Sequence, residues 1–388
     1  MITYQLFYRQ CIHVDDFPLY VSDMKAYMQT ALGQESGYEF PYPVFFALIR
    51  LVTFLCPVEQ ATALVTTVLN TASVLCLVYF LEKDLGDNKN IWKKALILMA
   101  AVSLVFVSML YAPSGVYLPG MDHKYLGVFT ANPYHNATYL ATRPFSIVAF
   151  YLFLRIRNHY EEKIEKGEAI GFTVALLLTT MTKPSFTLVF GMAAAVVLII
   201  GLIRGKGKNI RQTILFAVCF LPTVLDLLYQ YKGVFEAQGS AEETGIGIGF
   251  FSAWSLYCHN IPLAIVLALA FPGLYLVLHL PELKKDKTFR FSWVMMACAF
   301  FSLAFLYEKG DRFDDLNFSW GYMHGIFFVF AVSLTRLIKD SFLFLEEKKK
   351  SGKTGMLLSL EWLAYLWHLG CGIKYFLYLY NGFEHMAF

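Results

Sequence analysis

Long apolar runs separated by short polar segments dominate the hydrophobic pattern of the chain. A helix that crosses a bilayer needs about 20 predominantly apolar residues. The run at 168–204 is long enough for two such helices, and Pro184 restricts Lys183 and favours a turn between them. Eight further runs have about the length of a single span and cover 59–82, 93–112, 141–158, 213–231, 260–281, 291–307, 321–338 and 356–380. The pattern therefore predicts an all-α, polytopic membrane protein with about ten transmembrane helices.

Composition supports a membrane protein and argues against several other classes. Hydrophobic residues make up 57% of the 388 residues and charged residues 16%, and the mean hydropathy is +0.52. A net charge of +3 gives no reason to expect a nucleic-acid partner. The seven cysteines are scattered and lack the CxxC spacing of zinc or redox sites, so we interpret them as small core residues.

Lys and Arg residues predict the orientation of the helices. Cytoplasmic loops of membrane proteins carry an excess of these residues. Most of the 32 basic residues lie in five loops, and all five fall on the same side of the ten-helix alternation: 82–94, 155–166, 204–211, 284–290 and 336–353. These loops are predicted to be cytoplasmic. Residues 1–58 and the loops 113–140, 232–259 and 308–320 are then external.

The chain divides into an external segment, 1–58, with short helices at the membrane interface, and a transmembrane domain, 59–388. Residues 1–58 contain neither a signal peptide nor an apolar run long enough to carry them across the membrane. We therefore expect a further helix before the given start, which would bring the total to eleven. The alternative is that the first sixteen or so residues are the remnant of such a helix.

Three external stretches resemble the GT-C superfamily of polytopic glycosyltransferases. The first is "SDMKAYMQTALGQ" (22–34) followed by "FPYPVFFALIRLV" (40–52), similar to the first long loop of the superfamily with its acidic motif, Tyr and "YP". The others are "NPYHNATYLATRPFSI" (132–147) and "EKGDRFDDLNFSWGYM" (308–323). The chain departs from the superfamily pattern in lacking the first helix.

The resemblance implies a hexosyl or pentosyl transferase of the bacterial cytoplasmic membrane that assembles cell-envelope glycans or glycoconjugates. Such enzymes take the sugar from a polyprenyl-phosphate-linked donor in the membrane lipid and transfer it to an acceptor at the outer face. Inverting transfer needs a carboxylate that accepts the proton of the acceptor hydroxyl. Asp23 is the candidate, because it lies in the stretch that matches the acidic motif. Asp15 and Asp16 compete with it, and since adjacent side chains diverge, at most one of them is expected to share a site with Asp23.

Cationic side chains at the external side would stabilise the negative charge that develops on the leaving phosphate. Arg143 and Lys183 are predicted near the outer membrane boundary, where ionisable residues are often functional, although both could instead snorkel to lipid headgroups. Arg312 lies among the acids of the 308–320 loop, where it could bind a phosphate or pair with those acids.

Two histidines of the 113–140 loop, His123 and His135, are further candidates for binding phosphate or a metal. Their spacing matches no established metal template, so a divalent cation such as Mg²⁺ or Mn²⁺ is left open. The adjacent "NAT" (136–138) fits the glycosylation sequon, but such short matches are common.

A transporter or flippase is the main alternative class, and an inactive relative is another. Asp226, Glu361, His368 and Lys374 lie inside apolar runs, as proton-coupled transport would require. The sequence has no clear internal repeat, whereas many transporters do. Most unexplained polar residues fall in the predicted external loops, which favours the enzyme.

Overall fold

The computed structural model describes residues 1–16, 18–86, 91–110, 125–235, 244–346 and 351–383. The described chain is predominantly α-helical, as the sequence predicts. Short helices occupy the N-terminal segment: α1 (Ile2–Ile12), α2 (Met24–Ala31) and α3 (Val44–Val52). A two-stranded antiparallel ladder pairs β1 (Ile246–Ile248) with β2 (Leu306–Glu308).

Each predicted apolar run contains a described helix. In chain order these are α4 (Val58–Leu85), α5 (Ile91–Leu104), α6 (Ala137–His159), α7 (Lys166–Thr182), α8 (Ser185–Arg204), α9 (Ile210–Val218) with α10 (Leu221–Phe235), α11 (Ile261–Leu278), α13 (Lys287–Phe305), α14 (Ser319–Glu346) and α15 (Gly352–Tyr380). The single turn α12 (Glu282–Lys285) lies between the runs that contain α11 and α13.

Fewer helices meet the length of a full span than the apolar runs predict. Within the described ranges, six helices are long and apolar enough to cross a membrane: α4, α6, α8, α11, α13 and α15. The bent pair α9 and α10, with an angle of 49° between its halves, gives a seventh if it counts as one span. By contrast, α5 has 14 residues and α7 has 17, which is short for a full crossing. The count of ten therefore stays a prediction.

The break inside the long apolar run has a local cause. Helix α7 ends at Thr182 and α8 begins at Ser185, with Pro184 as the residue that precedes α8. Pro184 disfavours helical geometry at Lys183, whose backbone is extended, with φ −169° and ψ 127°. The break therefore places the Lys183 side chain between two helix ends, where it can reach a neighbouring segment.

Helices α6 and α14 form the centre of the bundle. Helix α6 packs against α4 and α7, while α14 packs against α13 and α8. Polar side chains on α6 and α14 are buried along with the apolar ones, including Arg143 and His324 with no exposed surface. The rings of Tyr139 and His324 stack, with centres 4.2 Å apart, so the beginnings of α6 and α14 lie against each other inside the protein.

Candidate functional site

Asp23 is positioned by the start of α2. It is the N-cap residue of this helix, but its side chain does not cap the helix. Its Oδ2 instead accepts hydrogen bonds from the Tyr27 hydroxyl, at 3.1 Å, and from the Asn136 amide. The Asp23 backbone N–H also donates to the carbonyl of His135, at 3.4 Å. These contacts fix the carboxylate against the segment that leads into α6.

Asn136 connects Asp23 to Lys183. As the N-cap of α6, its Oδ1 accepts the Tyr139 backbone N–H at 2.9 Å. The same oxygen accepts a hydrogen bond from Lys183 Nζ at 3.1 Å, while the Asn136 amide nitrogen donates to Asp23. The side-chain amide therefore bridges a carboxylate and an ammonium group from two other segments of the chain.

The Lys183 side chain is buried, with 7% of its surface exposed. Besides Asn136, its Nζ contacts Thr138 Oγ1 at 3.3 Å and lies 4.1 Å from the centre of the Trp320 ring. Burial lowers the pKa of Lys183 to about 7, and the negative charge of Asp23 opposes that change. The amine is therefore poised to change its charge near neutral pH.

The Asp23 side chain remains exposed to solvent although protein surrounds it closely on its other sides. Desolvation by these neighbours raises the pKa of Asp23, while Lys183 and the hydrogen bonds from Tyr27 and Asn136 lower it. Asp23 is therefore an exposed carboxylate that belongs to a buried hydrogen-bond network, and solvent can reach it.

The loop that follows β2 lies near Asp23. Tyr38 links the two, because the charge of Asp315 raises its pKa most and the charge of Asp23 raises it as well. In this loop Arg312 Nε pairs with Glu308 at 2.6 Å and lies 3.9 Å from Asp315. Arg312 is therefore paired with acids of its own loop, one of the two alternatives that the sequence left open, and its side chain stays partly exposed.

Asp15 and Asp16 lie outside the Asp23 network. The Lys25 ammonium pairs with Asp15 at 2.6 Å, and His13 Nδ1 pairs with Asp16 at 2.6 Å. Both carboxylates are exposed, and neither pair leads to Asp23. Of the three candidate bases, Asp23 alone joins the buried network in the described chain.

Arg143 occupies an unexpected position. The sequence placed it near the outer boundary, facing lipid phosphate, but its side chain has no exposed surface and therefore does not snorkel to lipid. Its Nη2 donates to the Ala131 carbonyl at 2.7 Å, and the guanidinium lies 4.8 Å from the centre of the Phe327 ring. Its Nε and Nη1 have no hydrogen-bond partner among the described residues. Direct contact with a phosphate would require the helices around it to move apart.

His135 is a buried residue next to the site. Its ring nitrogens lie 3.4 Å from the Tyr125 hydroxyl and 3.3 Å from the Tyr375 hydroxyl. His123 lies outside the described residues. No group of three or more His, Cys, Asp and Glu side chains is arranged to hold a metal ion in the part of the chain that the structure describes.

Four residues of this network were not predicted from the sequence: Tyr27, Asn136, Thr138 and Trp320. A signal for Asn136 was present, since Asn just before an apolar helical run is a typical N-cap. Asn136 also matches a glycosylation sequon. With 2% of its surface exposed, however, its side chain is not accessible for glycosylation in the folded protein. The contacts of Trp320 with Lys183 depend on packing between distant helices, for which the sequence carries no local signal.

Comparison of the sequence with models of known protein families gives no match, and comparison with curated proteins gives none either.

Proposed function

We propose that the protein is a membrane glycosyltransferase of the GT-C type. It transfers a hexosyl or pentosyl group from a polyprenyl-phosphate-linked donor to an acceptor hydroxyl at the outer face of the bacterial cytoplasmic membrane. The observation that carries the proposal is the accessible Asp23 carboxylate, which Asn136 connects to the buried ammonium of Lys183.

Asp23 is the proposed general base. The hydrogen bonds described for its side chain all go to Oδ2, which leaves Oδ1 for the acceptor hydroxyl. As the hydroxyl oxygen attacks the anomeric carbon, its proton passes to Asp23. The bond between that carbon and the phosphate oxygen breaks, and the phosphate leaves with the electron pair. A raised pKa makes Asp23 a stronger proton acceptor than an ordinary aspartate.

Lys183 is the proposed source of positive charge for the leaving phosphate. A fixed charge in a poorly solvated site stabilises developing negative charge more than the same charge in water does. Its contacts with Asn136, Thr138 and the Trp320 ring hold the ammonium in place without neutralising it. Arg312, partly exposed in the loop that follows β2, is proposed to contact the substrate as well. Roles for His123, His135 and Arg143 stay predictions.

Two observations weigh against a transporter as the function of this site. The acid and the cation lie at the ends of helices α2, α6 and α7, and not at their middle. Two of the four intramembrane candidates have partners in the protein: His368 Nδ1 contacts the Ser108 carbonyl at 2.6 Å, and one oxygen of Glu361 pairs with His279 at 2.8 Å. These contacts hold different segments of the chain together and require no transported ion.

The proposal is tested with Asp23→Asn in membranes supplied with polyprenyl-phosphate hexose and pentose donors. We expect turnover to fall by about 10²- to 10⁴-fold, the usual contribution of a positioned proton acceptor. Asn retains the shape of the side chain, so expression and thermal stability should be nearly unchanged.

Asp15→Asn and Asp16→Asn serve as matched controls, because they remove exposed charges of the same segment without touching the network. Transfer at the wild-type rate by all three variants, in a preparation with demonstrated activity, would refute the role of this segment in catalysis.

A further inference from the structure

Two adjoining cavities lie between α4 and α6, far from Asp23. They have volumes of about 280 and 380 Å³ and share Phe80, Tyr151 and Arg155 in their walls. The stacked rings of Phe80 and Tyr151, with centres 4.0 Å apart, stand between them. The cavities form one groove, which we call the α4–α6 groove.

The groove lies toward the opposite membrane surface from the candidate site. Asn136, at the start of α6, contacts Asp23, whereas Arg155 is 19 positions further along the same helix. At 1.5 Å per residue, this separation is about 28 Å, close to the roughly 30 Å thickness of the hydrocarbon core. If the Asp23 end faces outward, as the basic loops predict, Arg155 lies at the cytoplasmic boundary.

The lining of the groove changes along its length. Much of the lining is apolar and comes from Leu77, Leu81, Ile147 and Leu154. Leu75, which also lines the groove, is exposed on the side that faces the lipid. Polar residues gather where α4 and α6 end, with Lys83, Asp84, Arg155 and Asn158. An apolar channel with a charged mouth at the membrane boundary has the pattern of a phospholipid, whose acyl chains are apolar and whose phosphate lies at the interface.

Two cations at the mouth, Lys83 and Arg155, can contact an anion. Glu168 pairs with Arg155, while Asp84 lies 3.8 Å from the guanidinium of Arg336, which pairs more closely with Asp286, at 2.6 Å. Lys83 contacts the Tyr79 ring, 5.6 Å away, and has no carboxylate partner among the described residues. Its ammonium is exposed, as is the Arg155 guanidinium. A lipid phosphate at this position would meet one uncompensated positive charge and a second, partly compensated one.

We infer that the α4–α6 groove binds one anionic phospholipid of the cytoplasmic leaflet. Its two acyl chains fill the apolar cavities on the two sides of the Phe80–Tyr151 stack, and the phosphate contacts Lys83 and Arg155. The inference rests on the groove and its charges and is independent of the proposed activity.

The test compares phosphatidylglycerol with phosphatidylcholine as probes for the purified, full-length protein, by titration in native mass spectrometry. We expect tighter binding of phosphatidylglycerol by the wild type. Lys83→Gln should weaken it roughly fivefold, because one basic residue near the lipid surface contributes about 1 kcal/mol. Ala331→Leu, which narrows the apolar cavity, should weaken both lipids.

Lys94→Gln is the matched control, since Lys94 is an exposed lysine at the same predicted surface but is not part of the groove. Equal binding of the two lipids by the wild type would overturn the inference. Equal losses in Lys83→Gln and Lys94→Gln would do so too, because they would show attraction by the basic surface as a whole. Glycosyl transfer is not measured, so failure here leaves the proposed function standing.

Discussion

Replacing Lys183 by Met separates the catalytic role of its charge from its role in packing. The Met side chain is about as long as that of Lys but is apolar and uncharged. It can therefore fill the same space between the ends of α7 and α8. The substitution removes the hydrogen bonds to Asn136 and Thr138 and the contact with the Trp320 ring. It also removes a charge that the protein interior disfavours.

The structure gives the size of these opposing effects. A fall in pKa from 10.5 to about 7 corresponds to roughly 5 kcal/mol in favour of the neutral amine. Hydrogen bonds from a charged donor contribute about 1.5–3 kcal/mol each, and the ring contact about 0.5–2 kcal/mol. Asn136 Oδ1 keeps its bonds from Tyr139 and Thr138, so it is not left unpaired. The two sides nearly cancel, as they often do when a buried charge is replaced by an apolar group.

We therefore expect Lys183→Met to change the free energy of unfolding by no more than about 3 kcal/mol, in a range typical of single substitutions. Glycosyl transfer should fall by about 10²- to 10³-fold, the usual cost of losing one group that stabilises developing negative charge. Unfolding in detergent and donor turnover are measured on the same preparation. Lys166→Met, at an exposed basic position of α7, is the control and should retain activity.

Two results would contradict this reasoning. A variant that is strongly destabilised, with activity reduced only in proportion to its folded fraction, would assign Lys183 a structural role. A stable variant with wild-type turnover would remove its charge from the mechanism.

The other predictions concern pH and the bridging amide. Transfer should show a bell-shaped pH profile: activity rises as Asp23 loses its proton, above the ordinary aspartate range because its pKa is raised, and falls above about pH 7 as Lys183 loses its charge. Lys183→Met should abolish the falling limb, and a limb that persists in this variant would belong to another group. Asn136→Ser should keep the N-cap of α6 but break the bridge, lowering turnover with little loss of stability, whereas Asn136→Ala should cost about 1 kcal/mol more. Equal turnover in wild type and Asn136→Ser would show that the bridge is dispensable.

The sequence by itself determined the features that depend on local pattern. Apolar runs of about 20 residues predicted where the helices lie, because a chain in lipid must satisfy its backbone hydrogen bonds within each helix. Pro184 predicted the break between α7 and α8, because its ring restricts the residue before it. The matched motif singled out Asp23 as the acid to examine. The number of full crossings did not follow as directly, since 14 or 17 residues of helix can lie in an apolar run without spanning it.

Only the tertiary structure decided which of these residues meet. Asp23 and Asn136 are 113 positions apart, and Lys183 is a further 47 positions along the chain, yet one side-chain amide joins all three. Arg143 and Lys183 looked alike in sequence, as cations near a predicted boundary. Packing of α6 against its neighbours enclosed Arg143 completely, while the break before α8 directed Lys183 to the Asp23 network. The hydrophobic pattern specifies that a segment is buried. Which polar side chains meet in the interior depends on how distant helices pack, and no local stretch of sequence encodes that packing.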